Sequence, residues 1–396
     1  MRNKPLATLL ALALTLSLAA TLTGCGKDTA LTIYAEGDFI KQDLIDAFTE
    51  DTGIEVEYLV GTRTPAETQA QAGDTSSSSA VLAAEENPID ILSELRAWKE
   101  ENQTALAESS ESAGVPCTYD VILTDQDTAD QLYREDCLQV LDTSAISNAD
   151  RINEEFMALN GDTVYSIPVL WGTAGIVWNT ELVSEQVSSW KALWDADYSK
   201  KILMPATARD CAAVALTVKG RDVNSAKEKA IQAAYKSLQK QAPLVAGYSD
   251  GATYSMMVNN AAALSAAYSG AAIDMMSDNP NLAFVLPDEG TWRICYSYCI
   301  SAGSQWTEEA EKFVNYMCSA SNMAKNAVYC KYSTTSDQAL EKMDKAWHNN
   351  PLAYPDESIL KKAPLLTGLD PDAEQLHTQL FRELTGQVSA STDDKA

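Results

Sequence analysis

The sequence predicts an α/β protein of two lobes, each a mostly parallel sheet flanked by helices, with a cleft between them. Three observations carry this. The stretch Leu31 to Leu59 reads as strand, loop, helix, tight turn and strand. Similar strand–loop–helix units recur further on, and uncharged extended runs separate them into two groups. At 396 residues the chain also exceeds one typical domain, and its 46% hydrophobic content is enough for two cores.

In the first unit Leu31, Ile33 and Tyr34 are β-formers, and Glu36-Gly37-Asp38 breaks the run. Ile40, Leu44, Ile45, Ala47 and Phe48 follow at helical spacing, Gly53 suits the left-handed position that ends a helix, and Ile54, Val56 and Tyr58 alternate as a second strand. The loop Glu36 to Phe39 then falls at the carboxyl edge of a parallel sheet, where open α/β sheets bind ligands. From Thr64 to Pro116 the chain turns small and polar around one amphipathic helix, with Asn87 as N-cap and Pro88 at its first position. This is a surface excursion, since one such helix cannot make a core. Tyr119 to Leu123 is a buried strand, followed by a loop with Asp125 and Asp127, a helix carrying Ala129, Leu132 and Tyr133, and a return to the sheet at Leu138 to Leu141.

Tyr165 to Thr173 and Gly175 to Asn179 form an extended, uncharged crossing between lobes. In the second lobe a helix starts at Ser189 to Trp194, and Lys201 to Met204 is a strand leading to the loop Pro205–Asp210 and a helix from Cys211. Lys227 to Gln241 is a helix, and Leu244 to Ala246 and Ala261 to Tyr268 are strands. Arg293 to Ile300 is the second crossing. Trp306 to Asn326 is helical, and a last helix runs from Asp370 as N-cap to Gly386.

Arg2 and Lys4 precede an apolar run from Leu6 to Leu22, and Leu22-Thr23-Gly24-Cys25 ends it. This resembles a bacterial lipobox, which implies removal of residues 1–24, a diacylglycerol on Cys25 and an extracytoplasmic protein tethered to the cell membrane. No later segment is apolar enough to span a membrane. The net charge of −27 opposes binding to nucleic acid or anionic lipid. Of eight cysteines, seven remain beside Cys25, an odd number that cannot form a complete internal disulfide framework. Cys295 and Cys299 would stand roughly 13 Å apart on a strand. With two histidines and no C-x-x-C, neither a metal nor a cofactor is expected.

The order of motifs resembles the spermidine/putrescine-binding proteins of ABC importers, within the type II periplasmic-binding class. The matching pieces are Tyr34, Phe48 to Ile54, Tyr119-Asp120-Val121-Ile122, Tyr165 to Pro168 with Trp171-Gly172, Ser189-Trp190 with Leu193-Trp194, Ala208-Arg209-Asp210, and Pro287 with Glu289-Gly290. The resemblance implies two α/β lobes that close on a linear polyamine, with aromatic rings along the methylenes and carboxylates at the amines. It also implies a permease partner, a monomer and no catalysis. The family's first loop reads Trp-Thr-Glu-Tyr, and here the positions are Glu36, Gly37, Asp38 and Phe39. A second-loop aromatic falls at or near Asp127, a lobe-two tryptophan at Tyr268, and an acid-Ala-Arg-acid run at Thr207 to Asp210. A Trp-x-Asp falls at Ile294-Cys295-Tyr296, so an amine-binding carboxylate is replaced by Tyr296.

The expected ligand contacts are Glu36, Asp38, Phe39, Asp125, Asp127, Trp171, Arg209, Asp210, Tyr268, Trp292 and Tyr296. Arg209 and Arg293 offer an alternative, an anionic solute. Gly247-Tyr248-Ser249-Asp250-Gly251 matches the nucleophile elbow of a serine esterase, with His348 or His377 as partner, a remote alternative. Residues 27–170 plus 297–330 are expected in lobe one, with the excursion 64–116. Lobe two is expected to be 174–292 plus 331–386, followed by a flexible tail at 387–396. Hinge motion would fall near Ile167–Thr173 and Arg293–Tyr298.

Overall fold

The computed structural model describes residues 30–61, 89–108, 115–249 and 251–386. The leader with Cys25, most of the excursion including Asn87 and Pro88, Asp250 and the tail lie outside them. Among the described residues ten strands join in one sheet system. In chain order they are β1 Leu31–Ala35, β2 Val56–Val60, β3 Val121–Asp125, β4 Ile167–Asn179, β5 Ile202–Met204, β6 Val245–Tyr248, β7 Leu264–Tyr268, β8 Leu282–Val285, β9 Arg293–Ile300 and β10 Ser333–Thr334. The spatial order is β2-β1-β3-β9-β4-β7-β5-β6, with β8 and β10 also paired to β4.

Each lobe holds a parallel trio, β2-β1-β3 in lobe one and β7-β5-β6 in lobe two. The antiparallel strands are those that carry the chain between lobes, and their partners. Residues 167–173 of β4 pair with β9 in lobe one, and residues 174–179 pair with β7 and β8 in lobe two. A single 13-residue strand therefore serves both sheets. It is buried along nearly its whole length, which is why it reads as an uncharged run rather than an alternating one.

Two cores result. The first gathers Leu31, Ile33, Phe48, Val121, Ile167 and Phe313, and the second Ile176, Trp190, Ile202, Leu216, Tyr235 and Trp292. The first βαβ unit forms as read: the helix Gln42–Thr52 buries Leu44, Ile45 and Phe48, and Gly53 closes it at φ 72°, its N–H donating to Thr49 O. The excursion's helix, Ile91–Glu108, is headed by Asp90, whose side chain accepts from the Ser93 N–H at 3.2 Å. It packs Ile91, Leu95 and Trp98 against Tyr34, Tyr119 and Leu132 of lobe one. The stretch read as one helix from Trp306 is two, Thr307–Met317 and Ala320–Cys330. Ser319 caps the second, accepting from Asn322 N. Leu138 to Leu141 makes only an isolated bridge, Leu138 to Ser301.

The segment 331–386, expected with lobe two, is shared. Tyr332, Ala339 and Met343 join the first core, because β10 pairs with Trp171 and Leu170 of β4. The chain then passes beside β9, where Arg293 N donates to Pro364 O and Leu366 N to Arg293 O, both at 2.8 Å. Leu366, Leu369 and Ala373 join the second core. The lobes are thus linked by three extended segments, β4, the Trp292–Arg293 step into β9, and Pro364–Leu366, the last through an isolated bridge from Leu365 to Arg293. β4 and the Trp292 segment are bonded to each other: Ala174 N donates to Trp292 O at 2.9 Å, and Thr291 Oγ1 to Ala174 O at 2.5 Å.

Candidate functional site

The carboxyl ends of β1 and β3 in lobe one face the end of β7 and the start of the helix Ala208–Val218 in lobe two. Between them lies a cavity of about 570 Å³. Its lobe-one wall begins with Glu36 to Phe39. Phe39 packs on Tyr296 at 4.5 Å between ring centroids and on Tyr332 at 5.6 Å, and those two rings meet edge to face at 5.4 Å. A Cβ on Gly37 would sit 2.9 Å from the Phe39 ring, so a side chain there would push that ring aside. Asp38 accepts from Tyr329 Oη at 2.5 Å. Glu36 accepts from Thr124 Oγ1 and Asp125 N, each at 3.2 Å. Burial, then the Asp125 charge, holds the Glu36 carboxyl well above its usual range, and the charge of Asp210 adds to this.

The lobe-two wall is wired by hydrogen bonds. Trp292 Nε1 donates to Tyr268 Oη at 3.2 Å, and Tyr268 Oη donates to the Asp210 carboxylate. Asp210 also accepts from Thr207 Oγ1 at 2.8 Å, and Thr207, as N-cap, accepts from Asp210 N at 3.0 Å. Burial raises the Asp210 carboxyl despite these donors. Trp190 stacks on Trp292 at 5.2 Å, fixing its ring. Further out, Asp274 and Asp278 line the cavity from the helix Ser269–Asp278, with Tyr254 Oη donating to Asp278 at 2.6 Å. Burial raises Asp274, and the charge of Lys331 opposes that.

A second chamber, about 820 Å³, adjoins the first. Glu36, Thr207, Asp210 and Ile294 line both and form the partition. Asp125 faces this chamber but caps the helix Gln126–Arg134, accepting from Thr128 N at 3.1 Å and Thr128 Oγ1 at 2.7 Å. Asp127 is buried beside Arg209, with Oδ1 and Nε 3.5 Å apart, and this pair reaches across the lobes.

Of the residues expected from sequence, Glu36, Asp38, Phe39, Asp210, Tyr268, Trp292 and Tyr296 line the first cavity, and Asp125, Asp127 and Arg209 the second. Trp171 lines neither. Its Nε1 donates to Thr334 O at 2.9 Å, and its ring packs on Phe156 and Tyr354 in the first core. Arg293 lines neither. Its Nε donates to Ala363 O at 3.0 Å, Glu155 takes its Nη1 at 3.3 Å, and it lies over Phe156 and Trp171. Arg209 donates to Val223 O, Asn224 Oδ1 and Thr367 O, so both arginines are engaged by the protein itself. Tyr254, Asp274, Asp278, Tyr329, Lys331 and Tyr332 were not anticipated. The one sequence signal was the i, i+4 pair Asp274 and Asp278 downstream of Tyr268. Ser249 Oγ accepts from Ala252 N at 3.1 Å at the head of the helix Gly251–Val258. Neither ring nitrogen of buried His377 has a hydrogen-bond partner, and His348 is exposed next to Tyr354, so no Ser249–His377 relay exists.

A model of the bacterial extracellular solute-binding protein family matches residues 85–355. A spermidine/putrescine-binding periplasmic protein of Haemophilus influenzae is 26% identical over 371 residues, covering 92% of this chain and 91% of that one. A Listeria monocytogenes structure, provisionally described as a spermidine/putrescine ABC transporter, superposes with a TM-score of 0.74 at 25% identity, covering 91% of this chain and all of that one. The spermidine/putrescine ABC transporter substrate-binding protein of Streptococcus pneumoniae gives 0.67, also at 25% identity, over 90% and 98% of the two chains.

Proposed function

This chain belongs to the bacterial extracellular solute-binding protein family, whose members are not enzymes, and on that premise we propose that it captures a linear polyamine between its lobes and delivers it to an ABC permease. The observation that carries this is the lining of the first cavity, where, among the described residues, Glu36, Asp38, Asp210, Asp274 and Asp278 face a single cation, Lys331, among aromatic rings. Such a wall favours a cation with an apolar body. The names of the relatives agree with that chemistry.

Each ring presented to an ammonium contributes about 0.5–2 kcal/mol. Micromolar affinity needs about −8 kcal/mol net, so several rings and carboxylates must act together. Glu36 and Asp210, on opposite lobes, are the principal contacts for the ammonium groups, whose positive charge favours the ionised carboxylates that burial alone disfavours, and Phe39, Tyr268, Trp292 and Tyr296 flank the methylenes. Tyr296 replaces a carboxylate expected by resemblance. Asp274 and Asp278 supply anionic charge elsewhere in the same cavity. Closure of the lobes around the solute then makes both walls one site. A lipid on Cys25 would hold the protein, as a monomer, at the outer face of the membrane.

Thermal-shift screening tests the ligand. A cleft protein gains RT ln(1 + [L]/Kd), about 2.7 kcal/mol at a hundredfold excess over Kd. Putrescine or spermidine at millimolar concentration should raise Tm while amino acids and organic phosphates leave it unchanged. Absence of any polyamine shift would sink the assignment. Mass spectrometry of the amino-terminal peptide tests the anchor: a diacylglycerol on Cys25 is expected, and an unmodified or uncleaved terminus would overturn it.

A further inference from the structure

The helix Gln126–Arg134 belongs to lobe one by its apolar side, where Ala129 and Leu132 are buried in one cluster with Tyr34 and Tyr119. Its polar side faces lobe two. Asp127, Asp130 and Arg134 fall at i, i+3 and i+7, one stripe about 10 Å long, and lobe two meets each of them. Asp127 lies beside Arg209, as described above. Asp130 Oδ2 accepts from Gly368 N at 2.7 Å, and Arg134 Nη2 donates to Glu374 Oε1 at 2.5 Å. Gly368 and Glu374 go with lobe two, since Leu366, Leu369 and Ala373 around them join its core.

Both halves of this contact are oriented from within their own lobes. Asp130 Oδ1 accepts from Tyr165 Oη and Gln126 Nε2, each at 2.6 Å, and the Tyr165 ring is stacked on Tyr133 at 4.0 Å. In lobe two the same Glu374 oxygen accepts from Leu369 N at 2.9 Å. Groups fixed in advance lose little freedom when they join. Gly368 lets the two elements close up: a Cβ there would lie 2.5 Å from Asp130 Cβ, an atom that cannot swing aside. Asp130, Arg134 and Gly368 line neither chamber, so the contact acts through protein atoms alone.

We propose that this stripe is a clasp that holds the lobes together, and that Asp130, Arg134, Gly368 and Glu374 are positioning residues that set solute affinity without touching the solute. The clasp lowers the cost of closure that binding otherwise meets, because an observed Kd is the intrinsic one divided by the fraction of molecules in the competent form. It follows from the contacts between lobes, and only its binding measurement rests on the polyamine reading above.

Charge reversal tests it. Interlobe distances from a pair of spin labels, one on each lobe, are read on the full chain in detergent without solute, and putrescine affinity by isothermal titration. Arg134→Glu and Glu374→Arg, each alone, should lengthen those distances and weaken putrescine binding about tenfold. The two reversals together should restore the distances and bring affinity back to within about threefold of wild type. Gly368→Ala, which changes no charge, should open the lobes as well. Unchanged distances in all three single variants, or a double reversal as open as the single ones, would overturn the proposal. So would opening with no loss of affinity. If wild-type protein gives no heat with putrescine or spermidine, the polyamine reading falls, and the distances alone decide the clasp by the same outcomes.

Discussion

The two walls of the first cavity are built on different principles. Lobe one offers rings held by one another: Phe39, Tyr296 and Tyr332 are mutually packed, with Gly37 keeping the backbone close beneath them. Lobe two offers a relay of donors, Trp292 to Tyr268 to Asp210, with Thr207 closing it. Packing fixes where a surface lies but tolerates small shifts, whereas a hydrogen-bond chain fixes the direction in which an oxygen points. Lobe one should therefore shape the solute's apolar body, and lobe two should place its charge.

Substitutions can break that division, and the largest expected effect is at Asp210. Asp210→Asn keeps the shape and removes the charge, and should weaken polyamine binding by about a hundredfold, in the range of a lost buried charged contact. A loss below threefold by calorimetry would show that lobe two does not place the charge. Phe39→Ala should cost about tenfold in affinity and also lower Tm, because the ring both touches the solute and props Tyr296 and Tyr332. If Tm falls and affinity does not, lobe one is scaffold only.

Acid should separate the lobes in a second way. His377 is buried against Tyr235 in the second core, and burial, aided by the Arg209 charge, pushes it down to about 3. Between that value and the ordinary one of about 6.5 the unfolded chain binds the extra proton, so stability rises with pH across this window and is lost as pH falls through it. Hydrogen exchange at pH 4.5 should show lobe two opening before lobe one, and His377→Leu should shift the midpoint of urea unfolding upward at pH 4.5 more than at pH 7.5. Identical shifts at the two pH values would remove His377 as the cause. The smallest effect is expected at Trp171→Phe, which deletes the bond to Thr334 and should cost about 1 kcal/mol of stability. Ligand affinity should not change, because the ring lies outside both chambers. A tenfold loss of affinity there would mean that the cavity reaches further than its lining.

The scaffold was largely readable because its signals are local. Gly53, the alternation of Ile54, Val56 and Tyr58, and the uncharged run through β4 each reflect backbone or burial demands felt within a few residues. The site was readable where a loop follows a parallel strand, as at Glu36 and Asp210. It was unreadable where the chain returns from far away. Tyr329, Lys331 and Tyr332 reach the cavity only because the turn after the helix Ala320–Cys330 docks against Phe39, with Asn326 Nδ2 donating to Phe39 O at 2.8 Å and Cys330 Sγ at 3.1 Å. Trp171 and Arg293 misled for a related reason. Both sit at the crossing beside ligand-facing neighbours, but alternation along the strand turns their side chains to the far face of the sheet. The Pro364–Leu366 crossing left no signal, since three residues in extended form have no period to detect.

That short crossing changes what kind of joint connects the lobes. Two separate strands would behave as a pair of cords and allow the lobes to twist as well as swing. Three extended segments, with Arg293 bonded to the third and Trp292 bonded to β4, should behave as a leaf spring, pliant to bending across its face and stiff to torsion. Opening should then follow one rotation axis, which distances between pairs of spin labels on the two lobes can resolve. Each closing stroke would bring Asp210 back opposite Glu36 in the same alignment.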